Sequence, residues 1–149
     1  MDNSEEQLAA FIAKFTPDIE MKTHEALAKM RARLPGAIEL VYDNYNALAI
    51  GFGPTERTSD ALFSLAVFPR WVSLFFAKGV GLPDPHGLLK GDGNVARHIV
   101  LTDIALLDTP PVQDLIAHAL ERAGDPIDTT QPNHTIIKSI SATQRPRRP

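Results

Sequence analysis

The most apolar stretch of the chain consists of two short hydrophobic runs on either side of Pro69 and Arg70. This stretch, residues 61–77, holds four of the seven phenylalanines and the only tryptophan. Side chains alternate in each run, which predicts two paired β-strands, that is, a central hairpin. The face predicted to lie under helices carries Phe63, Leu65, Val67, Val72, Leu74 and Phe76.

Helical periodicity dominates the N-terminal part of the chain. Ser4 and Gln7 have the spacing of a capping box, so Ser4 is predicted to be the N-cap of a first helix. Thr16 and Pro17 predict the start of a second helix, which reaches about Leu34. We therefore expect a helical hairpin before the first strand. The apolar stripe of its first helix consists of Leu8, Phe11, Ile12 and Phe15.

A glycine-rich segment, residues 78–94, follows the central hairpin. It contains five of the nine glycines in the chain. Only residues 87–90 are predicted to form a helical turn there, so most of the segment is expected to be a loop. Loops of this length inside a compact domain are often functional.

The remaining pattern completes an α+β domain. We predict a mainly antiparallel, curved sheet of about five to six strands, packed with the N-terminal helical hairpin and one C-terminal helix. Residues 1–141 are expected to form a single domain and residues 142–149 a basic tail. Beyond the hairpin, two strands are predicted within 37–52, one over 95–101 and one over 134–141, with a short helical turn at 102–108 and the C-terminal helix over 109–124.

Composition and charge add two constraints. The chain has 149 residues and no cysteine, which excludes thiolate chemistry. Its acidic start is unlike a signal peptide, so a cytoplasmic protein is expected. Residues 1–132 carry eleven cationic and eighteen acidic side chains, a net charge of −7, whereas residues 133–149 carry +4.

Motifs for catalysis, cofactors or metals are weak. Residues 91–96 formally match a nucleotide-binding glycine pattern, but a loop precedes them and a strand is predicted to follow, where the motif requires a helix. His86 with Asp84 offers only two metal ligands, and His118 with Asp114 lies on a predicted solvent-facing side of a helix. We therefore expect no cofactor and no metal, and an enzyme is not favoured.

The second face of the hairpin is the first candidate site. Its small residues lie among large aromatic ones and could leave a concave apolar patch rimmed by cations, which would suit a small anionic ligand. The alternative, which we favour, is that a helix or a second subunit of a homodimer fills this space. The candidate ligand-binding residues are Trp71, Phe75, Lys78, Lys90 and Arg97.

The basic C-terminal residues are the second candidate. They could contact an external anion such as nucleic acid, or dock onto the acidic body of the same chain. Docking onto the chain itself, or a tail that is simply solvated, is favoured over an external anion, because an acidic body repels a phosphate backbone and four cations are few. The candidate contacts are Lys138, Arg145, Arg147 and Arg148.

Seven segments of the sequence together carry a resemblance to a known family: residues 42–53, 69–76, 82–85, 88–93, 97–98, 137–142 and 144–148. They resemble the YdhG-like domain family of unknown function. The loop of that family often has a lysine where Asn94 stands here. The resemblance covers about residues 20–148 and implies a compact α+β fold with a curved antiparallel sheet, without established catalytic residues.

Some members of that family are described as frataxin-like iron chaperones. The resemblance therefore implies iron or divalent-metal binding as an alternative function, which requires a ridge of carboxylates as hard oxygen ligands. The two predicted N-terminal helices supply scattered carboxylates rather than a clear ridge. They are Asp2, Glu5, Glu6, Asp18, Glu20 and Glu25.

Overall fold

A computed structural model describes residues 3–149, so Asp2, one of the candidate metal ligands, lies outside the described residues. Within that range the helices are α1 (Ser4–Ile12), α2 (Pro17–Arg33) and α3 (Pro110–Arg122), with short 3₁₀ helices at Thr58–Asp60 and Ile104–Asp108. The strands are β1 (Ile38–Asp43), β2 (Leu48–Gly53), β3 (Phe63–Val67), β4 (Val72–Phe76), β5 (Arg97–Val100) and β6 (His134–Ile140).

The six strands form one open sheet in the order β5-β4-β3-β2-β1-β6. The pairs from β5 to β1 are antiparallel, whereas β6 runs parallel to β1. The predicted α+β class, with a mainly antiparallel sheet, N-terminal helices and one C-terminal helix, is confirmed. The parallel direction of β6 places the tail that follows it beside the C-terminal end of β1.

The predicted central hairpin and its buried face are confirmed. Phe63 pairs with Phe76, and their rings meet edge to face with centroids 5.5 Å apart. All six predicted side chains of this face are fully buried against the helices. Full burial of a large apolar side chain stabilises the fold by roughly 1.5–3 kcal/mol, so this face makes a large contribution to the core.

The predicted N-cap positions are confirmed for α2 and α3, although the Thr109 side chain makes no capping hydrogen bond, and the predicted N-cap of α1 is displaced by one residue. The Thr16 hydroxyl accepts a hydrogen bond from the Ile19 amide at 3.4 Å and so caps α2. Gly124 follows α3 with φ of +84°, a conformation that glycine adopts without strain. Ser4, in contrast, is the first residue of α1, and Asn3 precedes the helix.

The predicted helical turn at residues 87–90 is wrong. The Asp84 carboxylate accepts hydrogen bonds from the amides of Leu88 and Leu89, at 2.9 and 3.0 Å. Those bonds hold the segment in a turn. After this turn, Lys90 forms an isolated antiparallel bridge with His98 of the edge strand β5. A side chain therefore replaces the helical hydrogen bonds that the sequence of this segment suggested.

The second face of the sheet is only partly covered. Ala66 and Phe75 remain half-buried there. The connection between β2 and β3 crosses part of this face, where Thr58 forms a hydrogen bond with the Tyr42 hydroxyl. Among residues 3–149, no helix is long and apolar enough to cross a membrane.

Candidate functional site

The C-terminal tail folds back onto the turn between β1 and β2. The Ser141 amide donates to the Asp43 carbonyl at 2.8 Å, and the Arg145 amide donates to the Tyr45 carbonyl at 2.9 Å. The Gln144 side chain adds a bond to the Asp43 carbonyl at 3.1 Å. These three bonds hold the backbone of the tail along the turn.

Arg147 anchors the tail in the protein interior. Its side chain is 3 % exposed and pairs with the fully buried carboxylate of Asp43, with a nitrogen–oxygen distance of 2.9 Å. The same guanidinium donates to the Asn44 carbonyl at 2.6 Å and lies over the Phe15 ring, 5.6 Å from its centroid. Arg147 therefore has a structural role and does not present its charge to a ligand.

Asp43 is held ionised by a second cation. Lys14 approaches its other carboxylate oxygen at 2.7 Å. Burial alone would raise the pKa of Asp43, but hydrogen bonds from Lys14, Gln144 and Arg147 lower it below its ordinary value of 3.8. Because two cations surround one carboxylate, this buried cluster carries a net positive charge.

The loop of the central hairpin presents a pair of stacked aromatic rings beside the tail. The Phe68 amide donates to the Trp71 carbonyl at 2.9 Å, which closes the loop. The rings of Phe68 and Trp71 lie 4.6 Å apart with an angle of 20° between their planes. Trp71 remains 43 % exposed, which is unusual for so large an apolar side chain.

A cleft of about 620 Å³ separates this loop from the tail, and we call it the arginine–aromatic cleft. Its lining includes three arginines and no aspartate or glutamate. Its volume lies within the range of small-molecule sites, about 300–1,000 Å³. The lining residues are Asn46, Phe68, Pro69, Arg70, Trp71, Arg145, Pro146, Arg148 and Pro149.

The cations of the cleft have donors available. Within residues 3–149, the guanidinium groups of Arg70 and Arg145 have no hydrogen-bond or ion-pair partner. Arg148 uses Nε to donate to the Lys14 carbonyl at 3.2 Å, which leaves its two terminal nitrogens available. Guanidinium groups in this state can bind a carboxylate or phosphate with paired hydrogen bonds.

Of the five predicted ligand-binding residues, only Trp71 lines this cleft. Phe75 stacks on His98, with ring centroids 4.9 Å apart. Arg97 donates to the Gly93 and Ala96 carbonyls at 2.5 and 2.8 Å, and so closes the glycine-rich loop.

The two predicted lysines lie elsewhere. Lys90 is an exposed residue whose backbone pairs with His98. Lys78 borders a separate cavity of about 80 Å³ next to Arg122 of α3.

The four predicted tail contacts separate into three environments. Arg145 and Arg148 line the cleft, Arg147 is buried, and Lys138 donates to the Glu56 carbonyl at 3.0 Å. Sequence reasoning missed Arg70 as a site residue. Its position in the turn between two apolar strands was an available signal, because a charged residue there must face solvent.

The histidines and carboxylates of residues 3–149 are not grouped as a metal centre requires. Asp84, His86, Asp114 and His118 border one cavity of about 100 Å³, although they are far apart in sequence. Nevertheless, no group of three or more histidine, aspartate or glutamate side chains in residues 3–149 has an arrangement that could hold a metal ion. Of the predicted iron-binding carboxylates, Glu5 already pairs with Arg31 and accepts from Thr135.

The arrangement as a whole defines a class of site: an open, positively charged cleft with an aromatic wall, of a size suited to one small molecule. The comparisons with protein-family models, with characterised proteins and with solved structures find no match to this chain.

Proposed function

We propose that this protein is a non-enzymatic binding module for a small anionic organic molecule, and that the ligand binds in the arginine–aromatic cleft. The observation that carries the proposal is the presence of three arginines around one cavity without a neighbouring carboxylate side chain. Such a charge arrangement favours an anion and disfavours a cation. The exposed ring of Trp71 provides a contact for the apolar part of the ligand.

The tail supports this proposal because it fixes one wall of the cleft. Arg145 and Arg148 flank the buried Arg147, so the anchor in the interior restricts the positions of both cleft arginines. Restricting a binding group before the ligand arrives lowers the entropy lost on binding. Proline residues in both walls restrict the backbone further.

The other candidate functions have less support. A protein partner or a second copy could pair with the outer edge of β6, where Ile140 is 56 % exposed. Nucleic-acid binding by the four tail cations is weakened because Arg147 and Lys138 already have partners inside the chain. The iron-binding alternative has no ligand cluster among residues 3–149 to support it.

A thermal-shift screen of phosphorylated and carboxylated metabolites tests the proposal, with hits verified by calorimetry. A ligand present at 100 times its Kd stabilises the folded state by about 2.7 kcal/mol, which raises Tm by several degrees. We expect stabilisation of the wild type and of the control Lys78→Ala/Arg97→Ala. The cleft variant Arg70→Ala/Arg145→Ala should lose it.

Two results would contradict the proposal. One is the absence of any stabilising anion among the metabolites. The other is equal loss of binding in the control and the cleft variant, since Lys78 and Arg97 do not line the cleft.

A further inference from the structure

The identity of the ligand can be narrowed by the way the aromatic and cationic groups are arranged. We propose, on the basis of the function proposed above, that the ligand is a nucleoside phosphate. Its base would stack on Trp71, and its phosphate would bind the arginines of the cleft. Three properties of the cleft lead to this inference.

The first property is the aromatic stack. Phe68 covers one side of Trp71 in a nearly parallel arrangement, and Trp71, which borders the cleft, is still 43 % exposed. A planar ring placed on Trp71 would extend this pair to a stack of three rings. Flat heteroaromatic bases gain affinity from such stacking, whereas a sugar phosphate or an aliphatic acid has no ring to contribute.

The second property is the number of available cationic donors. Arg70 and Arg145 have no partner within residues 3–149, and Arg148 retains its terminal nitrogens. A phosphate ester carries a charge of about −1.5 to −2 near neutral pH and offers several acceptor oxygens. The nearest buried carboxylate, Asp43, is neutralised by Lys14 and Arg147 and so does not oppose a bound anion.

The third property is the combination of the volume of the cleft with the side-chain amide of Asn46 in its lining. Asn46 borders the cleft, and its side chain contains both donors and an acceptor, as does the edge of a base. A cavity of about 620 Å³ accommodates one nucleotide. A longer strand would have to leave the cleft and cross an acidic body, so a mononucleotide is favoured over single-stranded nucleic acid.

The chain carries its own probe for this test. Trp71 is the only tryptophan, so intrinsic tryptophan fluorescence reports on the cleft alone. The wild-type protein is titrated with adenosine monophosphate, adenosine, ribose phosphate, inorganic phosphate and a short oligothymidylate. We expect saturable quenching by adenosine monophosphate, with adenosine and ribose phosphate each binding at least about tenfold more weakly.

Calorimetry on variants assigns the two contacts. Trp71→Ala should lower the affinity for adenosine monophosphate at least about tenfold and leave the affinity for ribose phosphate unchanged, because only the nucleotide has a base that stacks on the ring. Arg145→Ala should lower the affinity for both phosphate compounds, and the matched control Lys78→Ala should lower the affinity for neither. A Trp71→Ala protein that keeps its wild-type urea midpoint excludes misfolding as the cause.

The outcomes separate this inference from the function on which it rests. If ribose phosphate or an aliphatic carboxylate binds as tightly as adenosine monophosphate, the nucleotide inference is wrong and the anion-binding function stands. If the oligothymidylate binds much more tightly than the mononucleotide, the ligand is a nucleic-acid strand and the inference is also wrong. If no anion binds the cleft at all, both proposals fail.

Discussion

The two ends of the central hairpin differ in what their cations and aromatic rings are free to do. At the end next to the glycine-rich loop, Phe75 stacks on His98 and Arg97 binds backbone carbonyls. At the turn end, Trp71 is exposed and Arg70 has no partner within residues 3–149. Similar residue types therefore close a loop at one end and border an open cleft at the other. The combination of guanidinium groups without partners in residues 3–149 and an exposed aromatic ring at one cleft, rather than the number of cations, indicates where a ligand can bind.

The source of this difference is the C-terminal tail. One of its three arginines, Arg147, is buried against Asp43, and its neighbours Arg145 and Arg148 are thereby placed beside the hairpin turn. The glycine-rich end also receives a cation from a distant part of the chain, but this residue, Arg122 of α3, donates to the Val80 carbonyl at 3.0 Å and so helps to hold the loop. The four predictions below test this contrast, beginning with the largest expected effect.

Arg147→Ala should remove the anchor of the turn end. Loss of one partner of a buried ion pair is expected to lower the free energy of unfolding by roughly 3 kcal/mol, measured by urea denaturation. Arg148→Ala is the matched control, because this exposed side chain should change stability by less than about 0.5 kcal/mol. Equal destabilisation by the two substitutions would show that the anchor does not stabilise the fold.

Phe75→Ala should mainly lower stability, whereas Trp71→Ala should mainly lower ligand affinity. Phe75 is half-buried and stacked, so its loss should lower the free energy of unfolding by about 2 kcal/mol with no effect on ligand affinity. Trp71→Ala should affect stability less and should reduce affinity for the anion found in the screen. If Phe75→Ala reduced affinity more than Trp71→Ala, the cleft would not be the site.

Acid should lower the free energy of unfolding through the Asp43 cluster at the turn end. The pKa of Asp43 is lower in the folded state than its ordinary value of 3.8, so its ionisation stabilises the fold above about pH 4. That contribution is lost as the pH falls through the lowered pKa of the folded state. Urea midpoints measured between about pH 3 and pH 6 should fall at the acid end, and the fall should be shallower in Asp43→Asn. An unchanged acid slope in that variant would show that Asp43 does not contribute.

Arg97→Ala should have the smallest effect. Its two hydrogen bonds to loop carbonyls are exposed, so their loss should lower stability by about 1 kcal/mol or less. Amide exchange in residues 91–96 should become faster, while ligand affinity stays unchanged. A decrease in affinity would place the glycine-rich end in the binding site after all.

Much of the fold was predictable because its signals are local. The alternation from Phe63 to Phe76 specified both strands and their buried face, and Thr16 with Pro17 specified the start of α2. The direction of β6 was not specified, since residues 134–140 alternate in the same way whether the strand runs parallel or antiparallel to β1. The conformation of residues 87–90 depends on Asp84. Residue spacing does not show which backbone amides donate hydrogen bonds to its carboxylate.

The site was only partly predictable because it is assembled over a long distance. Trp71 was named as part of an apolar patch on the second face of the hairpin, and Arg145 and Arg148 as cations of the tail. The structure places all three in one cleft. What joins them is the contact between Asp43 and Arg147, which are 104 residues apart in the chain. No local pattern marks Arg147 as the buried member of a basic tail whose other arginines remain exposed.

Because β6 pairs with β1 but follows the other five strands in the chain, synthesis on the ribosome sets an order of events. Strands β1 to β5 are made before β6, and residues 145–148 of the tail are made after it. Nascent chains that stop before His134 therefore contain the aromatic wall but lack the opposing cationic wall. Affinity for an anion should appear only once residues 145–148 have left the exit tunnel, which ribosome-bound chains arrested after C-terminal linkers of different lengths would reveal.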